Sequence, residues 1–118
     1  MILFAQRAWD RGEFFFYIRI PEPLLPELRG RRYEEPIARA LSEANIGRVT
    51  GGGSKPFPDG SIDYCGIDVV VSSRIEGLTI LRSTLDRLGA PEQTVIEEYL
   101  PSSREHVFKP TFQDAEMT

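Results

Sequence analysis

The stretch from Ile62 to Leu88 constrains this chain more than any other, because it joins two strong and different periodicities without a break. Ile62-Asp63-Tyr64-Cys65-Gly66-Ile67-Asp68-Val69-Val70-Val71 reads as a strand, where side chains alternate between faces. Cys65, Ile67, Val69 and Val71 then share one face, and Ile62, Tyr64, Asp68 and Val70 the other. Ser73-Arg74-Ile75-Glu76 fits a capping box, in which the serine oxygen accepts an orphan N–H of the first turn and Glu76 reaches back to the cap. Ile75, Leu78, Leu81, Leu85 and Leu88 follow at helical spacing and predict one apolar stripe. Gly89 suits the left-handed residue past the helix end, and Pro91 prevents the helix from resuming. A strand that feeds directly into such a helix needs a sheet for the helix to lie on.

The remaining signals supply that sheet. Glu13 to Ile20 alternates as a second strand, with Phe14, Phe16, Ile18 and Ile20 on the core face and Phe15, Tyr17 and Arg19 on the opposite one. Pro21-Glu22-Pro23 stops it. A helical turn at 24–28 leads to a helix over 33–45, with Pro36 in its first turn and Ile37, Ala40, Leu41 and Ala44 inward. Ile46 to Thr50 reads as a short strand, and 51–60 as a glycine- and proline-rich hairpin connection. Thr94 to Leu100 closes the sheet, with its inward face undecided by the pattern. Residues 1–12 admit an edge strand, a helical turn or a tail docked through Trp9.

Strand, helix, strand, strand, helix, strand is the resulting order. Right-handed crossovers then place both helices on one face of a four-stranded antiparallel sheet, in spatial order 4-1-3-2 along the chain. The expected fold is therefore α+β, a ferredoxin-like sandwich. It forms a single domain with a core at 13–100, an N-terminal extension at 1–12 and a polar tail at 101–118.

The stretch Phe16 to Tyr99 also resembles small, largely uncharacterised bacterial proteins of the ferredoxin-like (βαββαβ) kind. Tyr33-Glu34-Glu35-Pro36, Val49-Thr50-Gly51-Gly52-Gly53-Ser54, Asp63-Tyr64-Cys65-Gly66-Ile67-Asp68 and Leu88-Gly89-Ala90-Pro91 carry the resemblance. It implies a fold and no activity.

With 118 residues, the chain is long enough for one core without staples. Its net charge of −4 weighs against nucleic acid or an anionic membrane as partner. The single cysteine cannot close an internal disulfide, and no stretch resembles a signal peptide or a spanning helix, so a cytoplasmic location is expected. Cys65 itself reads as a small core hydrophobe.

No catalytic, metal or cofactor motif stands out. Asp63 and Asp68 project to opposite faces, and the one histidine, His106, lies in the polar tail. Gly51-Gly52-Gly53-Ser54-Lys55 has glycines for a phosphate cradle but not the Walker spacing. Arg29-Gly30-Arg31-Arg32 reads as a solvated basic cluster. The open sheet face is the better candidate, since Phe15, Tyr17, Tyr64 and Val70 would form an apolar patch mixed with Arg19 and Asp68.

Two readings follow. The first is a non-catalytic interaction module, a homodimer joined through its sheet, with a protein partner as a further possibility. The second is a small-molecule-binding protein or minimal isomerase with a pocket on that face. Candidate ligand-binding residues for it are Phe15, Tyr17, Arg19, Tyr64 and Asp68, together with Gly52 and Lys55. No catalytic residue, metal ligand or cofactor is expected.

Overall fold

Strand β3 (Ile62–Val71) runs into α4 (Arg74–Arg87) across the link Ser72-Ser73. The computed structural model describes residues 2–56, 58–59, 62–99 and 105–108. Cys65, Ile67, Val69 and Val71 are fully buried, and α4 lays Leu78, Leu81 and Leu85 over the same core. Ser73 caps the helix, its hydroxyl accepting the Glu76 N–H at 3.4 Å, and Gly89 takes φ +72° just past the end. Ile75 departs from expectation, being 69% exposed. Its place at the head of the stripe goes to Arg74, one turn before Leu78, whose guanidinium meets buried Glu98.

The other elements are α1 (Ile2–Asp10), β1 (Phe14–Ile20), α2 (Pro26–Arg29), a π-helical turn (Gly30–Glu34), α3 (Glu35–Glu43), β2 (Gly47–Pro56), β4 (Val95–Tyr99) and β5 (Glu105–Phe108). All strand pairs are antiparallel, and the sheet order is β2-β3-β1-β4-β5. The fold is thus α+β, but with five strands where four were expected. The fifth falls in the stretch read as a polar tail: four residues pair with β4 at a free edge, too few for a pattern of alternation to be visible in sequence.

A further helix, α1, covers the second face of the sheet, which corrects the expectation that this face is open. On the inner face Tyr33, Ile37 and Leu41 join α4 over Phe16, Ile18 and Ile20 of β1, with Ile96 of β4. Ile96 and Glu98 therefore point inward, resolving the last strand's orientation. On the outer face α1 sets Ala5 and Ala8 against Phe15 and Val70.

Residues 26–43 form one unbroken helical rod rather than a turn, a connector and a helix. Backbone angles remain helical at Arg29, Gly30, Glu34 and Glu35. Pro36 accounts for the π-helical widening just before it. Proline has no N–H for the carbonyl one turn back, and its ring crowds that carbonyl. Glu35 N–H bonds instead to Gly30 O, five residues away. The widened turn sends Tyr33 fully into the core, where its hydroxyl donates to Glu22.

The glycine run 51–53 is strand, not loop. β2 pairs with β3 from Gly47↔Val71 to Pro56↔Ile62, with an irregularity that skips Thr50 between Val49 and Gly51. A phosphate cradle turns successive N–H groups to one side, whereas a strand alternates them, so the cradle reading falls. Weak strand formers are carried here by a strong partner, β3. Gly52 has a steric reason too: a Cβ there would lie 2.6 Å from Glu34 Oε2.

Cys65 is fully buried, and that burial pushes its thiol up to about 11. A folded pKa above the unfolded one stabilises below the unfolded value and is lost as pH climbs through the folded one. Stability should accordingly decline between the usual thiol value of 9.0 and about 11. Ellman's reagent at pH 8 should leave the native thiol unreacted and titrate one thiol per chain in urea. Fast reaction of the folded protein would show that the strand opens.

Candidate functional site

α1 comes to the outer face because of the spacing of its small residues. Ala5 and Ala8, three apart, let the helix backbone approach β1 and β3 closely. Phe4 stacks on Phe15 with ring centroids 6.2 Å apart, and Trp9 meets Phe14 edge-on at 6.1 Å. The helix ends in a tight reversal in which Arg11 N and Glu13 N both donate to Ala8 O, and Gly12 takes φ +75°. That reversal sends the chain straight into β1.

Contact through two alanines leaves a gap on the β2 side of the helix. It is a cleft of about 220 Å³. Phe4 and Ala8 from α1, with Phe15 and Val70 from the sheet, give it an apolar lining. Arg7 and Arg11 stand on the helix side, while Glu13, Arg48, Thr50 and Asp68 come from the sheet side.

The charges in this cleft are unevenly matched. Arg48 holds Glu13 with two bonds, at 2.8 and 3.3 Å, and the Arg48 guanidinium lowers the Glu13 carboxyl below the usual range. Arg7 and Arg11 are exposed and make no close ion pair among the described residues, though the Arg11 charge also helps to lower Glu13. Asp68 is half-buried and makes no hydrogen bond to another described residue. Burial pushes its carboxyl upward. Gly51 lies beside it, so close that a Cβ there would be 3.0 Å from Asp68 Oδ2. The skipped residue Thr50 adjoins this point, and such irregularities re-aim neighbouring side chains.

Next to the cleft, the same sheet face carries a network that satisfies itself. The Tyr17 ring lies over Gly66 and its hydroxyl shares a hydrogen bond with Tyr64; burial and Tyr64 push Tyr17 up to about 12. Arg19 sits 4.9 Å over the Tyr64 ring and pairs with Glu97 at 3.2 Å. Tyr99 donates to Glu97 at 2.7 Å. These groups position one another rather than await a ligand.

Of the residues singled out in the sequence, the structure brings Phe15 and Asp68 into the cleft. Tyr17, Arg19 and Tyr64 stand beside it in the network just described. Gly52 faces the other way, opposite Ile67 and against Glu34, and the Lys55 side chain lies outside the described residues. Sequence reasoning missed Arg7, Arg11, Glu13 and Arg48. The signal for the first two was slight: Phe4, Arg7 and Ala8 share helical spacing, and Arg11 falls in the turn just past the helix end.

This arrangement can bind, orient and desolvate a small molecule. It contains one carboxylate with a raised pKa, and Cys65 is buried on the inner face, away from it. Among the described residues no group of three or more His, Cys, Asp or Glu could hold a metal ion, and no helix is long and apolar enough to cross a membrane. Comparison of the chain with protein-family models, with curated proteins and with solved structures returned no match, so the residues of the cleft are what a functional reading has to rest on.

Proposed function

We propose that this protein is a ferredoxin-like module that binds a small molecule between α1 and the outer face of its sheet. The fold reading draws support from the run β2-β3-β1-β4, which is the 4-1-3-2 order from its other end, and from α3 and α4 packed over one core. On that reading α1 and β5 are additions to the sandwich, and a kinship with small bacterial ferredoxin-like proteins remains its natural company.

One observation carries the functional reading. Arg7 and Arg11 stand exposed at the rim of a cleft whose walls, from Phe4, Ala8, Phe15 and Val70, are apolar. Asp68 lies half-buried at the same cleft, so cationic groups and a carboxylate of raised pKa meet beside an apolar surface. Self-association loses most of its ground, since Phe15 is only 3% exposed beneath α1. Its remaining support is the outer side of α1, where Phe4 and Trp9 are about half exposed.

A fragment screen followed by amide shift mapping tests the proposal. Fragments that bind should perturb Arg7, Ala8, Phe15, Asp68 and Val70 together. Shifts scattered over the surface, or light scattering that shows a dimer closed over Phe4 and Trp9, would replace ligand binding with self-association.

A further inference from the structure

We infer that the outer edge of β2 pairs with the same edge of a second copy of this chain, antiparallel, across a two-fold axis at Gly53. Leu25 and Leu28 of both copies close over the seam. This edge is a different surface from the sheet face that α1 covers, and the inference does not rest on the cleft holding a ligand.

The main chain gives the first part of the argument. β2 is an end strand of the sheet, ten residues long, and pairs with β3 alone. On its other side its main-chain groups bond to no described residue. Exposed edges are usually shielded by charge, proline or a bulge. Here those devices stand at the two ends: Arg48 and the irregularity at Thr50 at one, Lys55 and Pro56 at the other. Between them Gly51-Gly52-Gly53-Ser54 pairs in unbroken register with Asp68 to Cys65, and Gly52 and Gly53 are exposed. Gly53 has no internal reason to be glycine, since its φ is not positive and a Cβ there would meet nothing within 4 Å. A bare stretch of strand is what lets another backbone come close.

Register and apolar surface select a second copy as the occupant. Outward main-chain groups alternate along a strand, so β2 crosses its own copy at a residue rather than between two. Centring on Gly51 or Gly52 would draw in the irregularity at Thr50, and centring on Ser54 would draw in Pro56, which has no N–H. With Gly53 on the axis, Gly51 meets Lys55 of the partner subunit and Gly52 meets Ser54 of the partner subunit. Only the regular stretch is used, and no like charges stand opposite each other. On the inner side, Ser54 donates to Leu24 O at 2.8 Å and Arg29 donates to the Ser54 hydroxyl at 2.9 Å. These bonds hold the start of α2 against the open edge, where Leu25 and Leu28 are 60% and 49% exposed. A two-fold axis at Gly53 brings these leucines together with their own images, which removes them from water.

Sedimentation equilibrium over a range of concentrations tests this. The parent should pass from monomer to dimer as concentration rises, with weak affinity, because so short a seam buries less than about 1,200 Å². Gly53→Lys sets two like charges opposite each other at the axis and should weaken the dimer about tenfold or more. Since a Cβ at that position meets nothing in its own chain, the urea midpoint of the dilute variant should stay put. Leu25→Lys with Leu28→Lys should weaken the dimer to a similar degree. Under mild oxidation Gly53→Cys should link two chains through a disulfide, a bond that buried Cys65 cannot supply. A dimer indifferent to Gly53→Lys would put the interface elsewhere and overturn the proposal. A parent that stays monomeric at millimolar concentration would overturn it as well. Amide shifts at Gly51 to Ser54 on adding a blocked valine-threonine hexapeptide would then assign the edge to another extended chain.

Discussion

Arg74→Ala should destabilise the protein by about 3 kcal/mol, the range for removing one member of a buried ion pair. Glu98 lies on the inner face of β4, opposite Phe16 of β1, and is 1% exposed. Arg74 Nε donates to its two oxygens at 3.0 and 2.8 Å. Since Arg74 itself is a third exposed, most of the loss comes from the carboxylate left in the core rather than from the pair's own attraction. A second variant makes this interpretation testable. Glu98→Leu combined with Arg74→Met removes both charges, offers Phe16 an apolar neighbour and should regain most of the lost stability. Urea midpoints for Arg74→Met, Glu98→Leu and the double variant close the cycle and give the coupling. If the double variant is no more stable than Arg74→Ala, the stranded carboxylate is not the cause.

Gly77→Val should cost about 3 kcal/mol, and Gly77→Ala about 1–2, despite the gain in helix propensity of up to ~1 kcal/mol that any residue brings over glycine. Gly77 is buried on α4, and a Cβ there would stand 2.6–2.7 Å from Cγ2, Cβ and Cγ1 of Val71. Val71 is fully buried at the end of β3, and only Ser72-Ser73 separates that strand from the helix. So short a link keeps α4 from tilting away. The double variant Gly77→Ala with Val71→Ala should recover part of the loss, since it makes room at the point of collision. A Gly77→Ala protein as stable as the parent would mean that α4 rides further from the sheet.

The elements most fully visible in the sequence were β1, β3 and α4. Their faces agree with the structure residue by residue, from Phe16 and Ile18 to Leu78 and Leu85, because burial there follows the local period. Ile75 shows where period alone is insufficient. Arg74 and Ile75 stand next to each other at the start of α4, and the polar one turns inward because Glu98, from a strand far along the chain, is there to meet it. The glycines of β2 misled for a related reason. Their own propensity is for turns, and pairing with β3 overrides it.

The cleft was less legible still. Phe15 and Asp68 could be placed on the outer sheet face from alternation, but the helix that roofs them could not. The apolar residues of 2–10, Ile2-Leu3-Phe4-Ala5 with Ala8 and Trp9, suit a strand, a turn or a docked tail as well as a helix, and two alanines define the contact face only once Phe15 and Val70 are known to lie beneath. Arg7 and Arg11 become site residues through that docking alone, and Glu13 is spoken for only because Arg48 comes to it from β2.

Patterns among near neighbours settle which residues form a strand or a helix and which side of it is apolar, since those follow from backbone geometry within a few residues. Where α1 docks, how β5 extends the sheet and which charges are left unmatched are decided by contacts between segments distant along the chain. Such contacts depend on shape and desolvation at the meeting surface, and neither is written in any one segment.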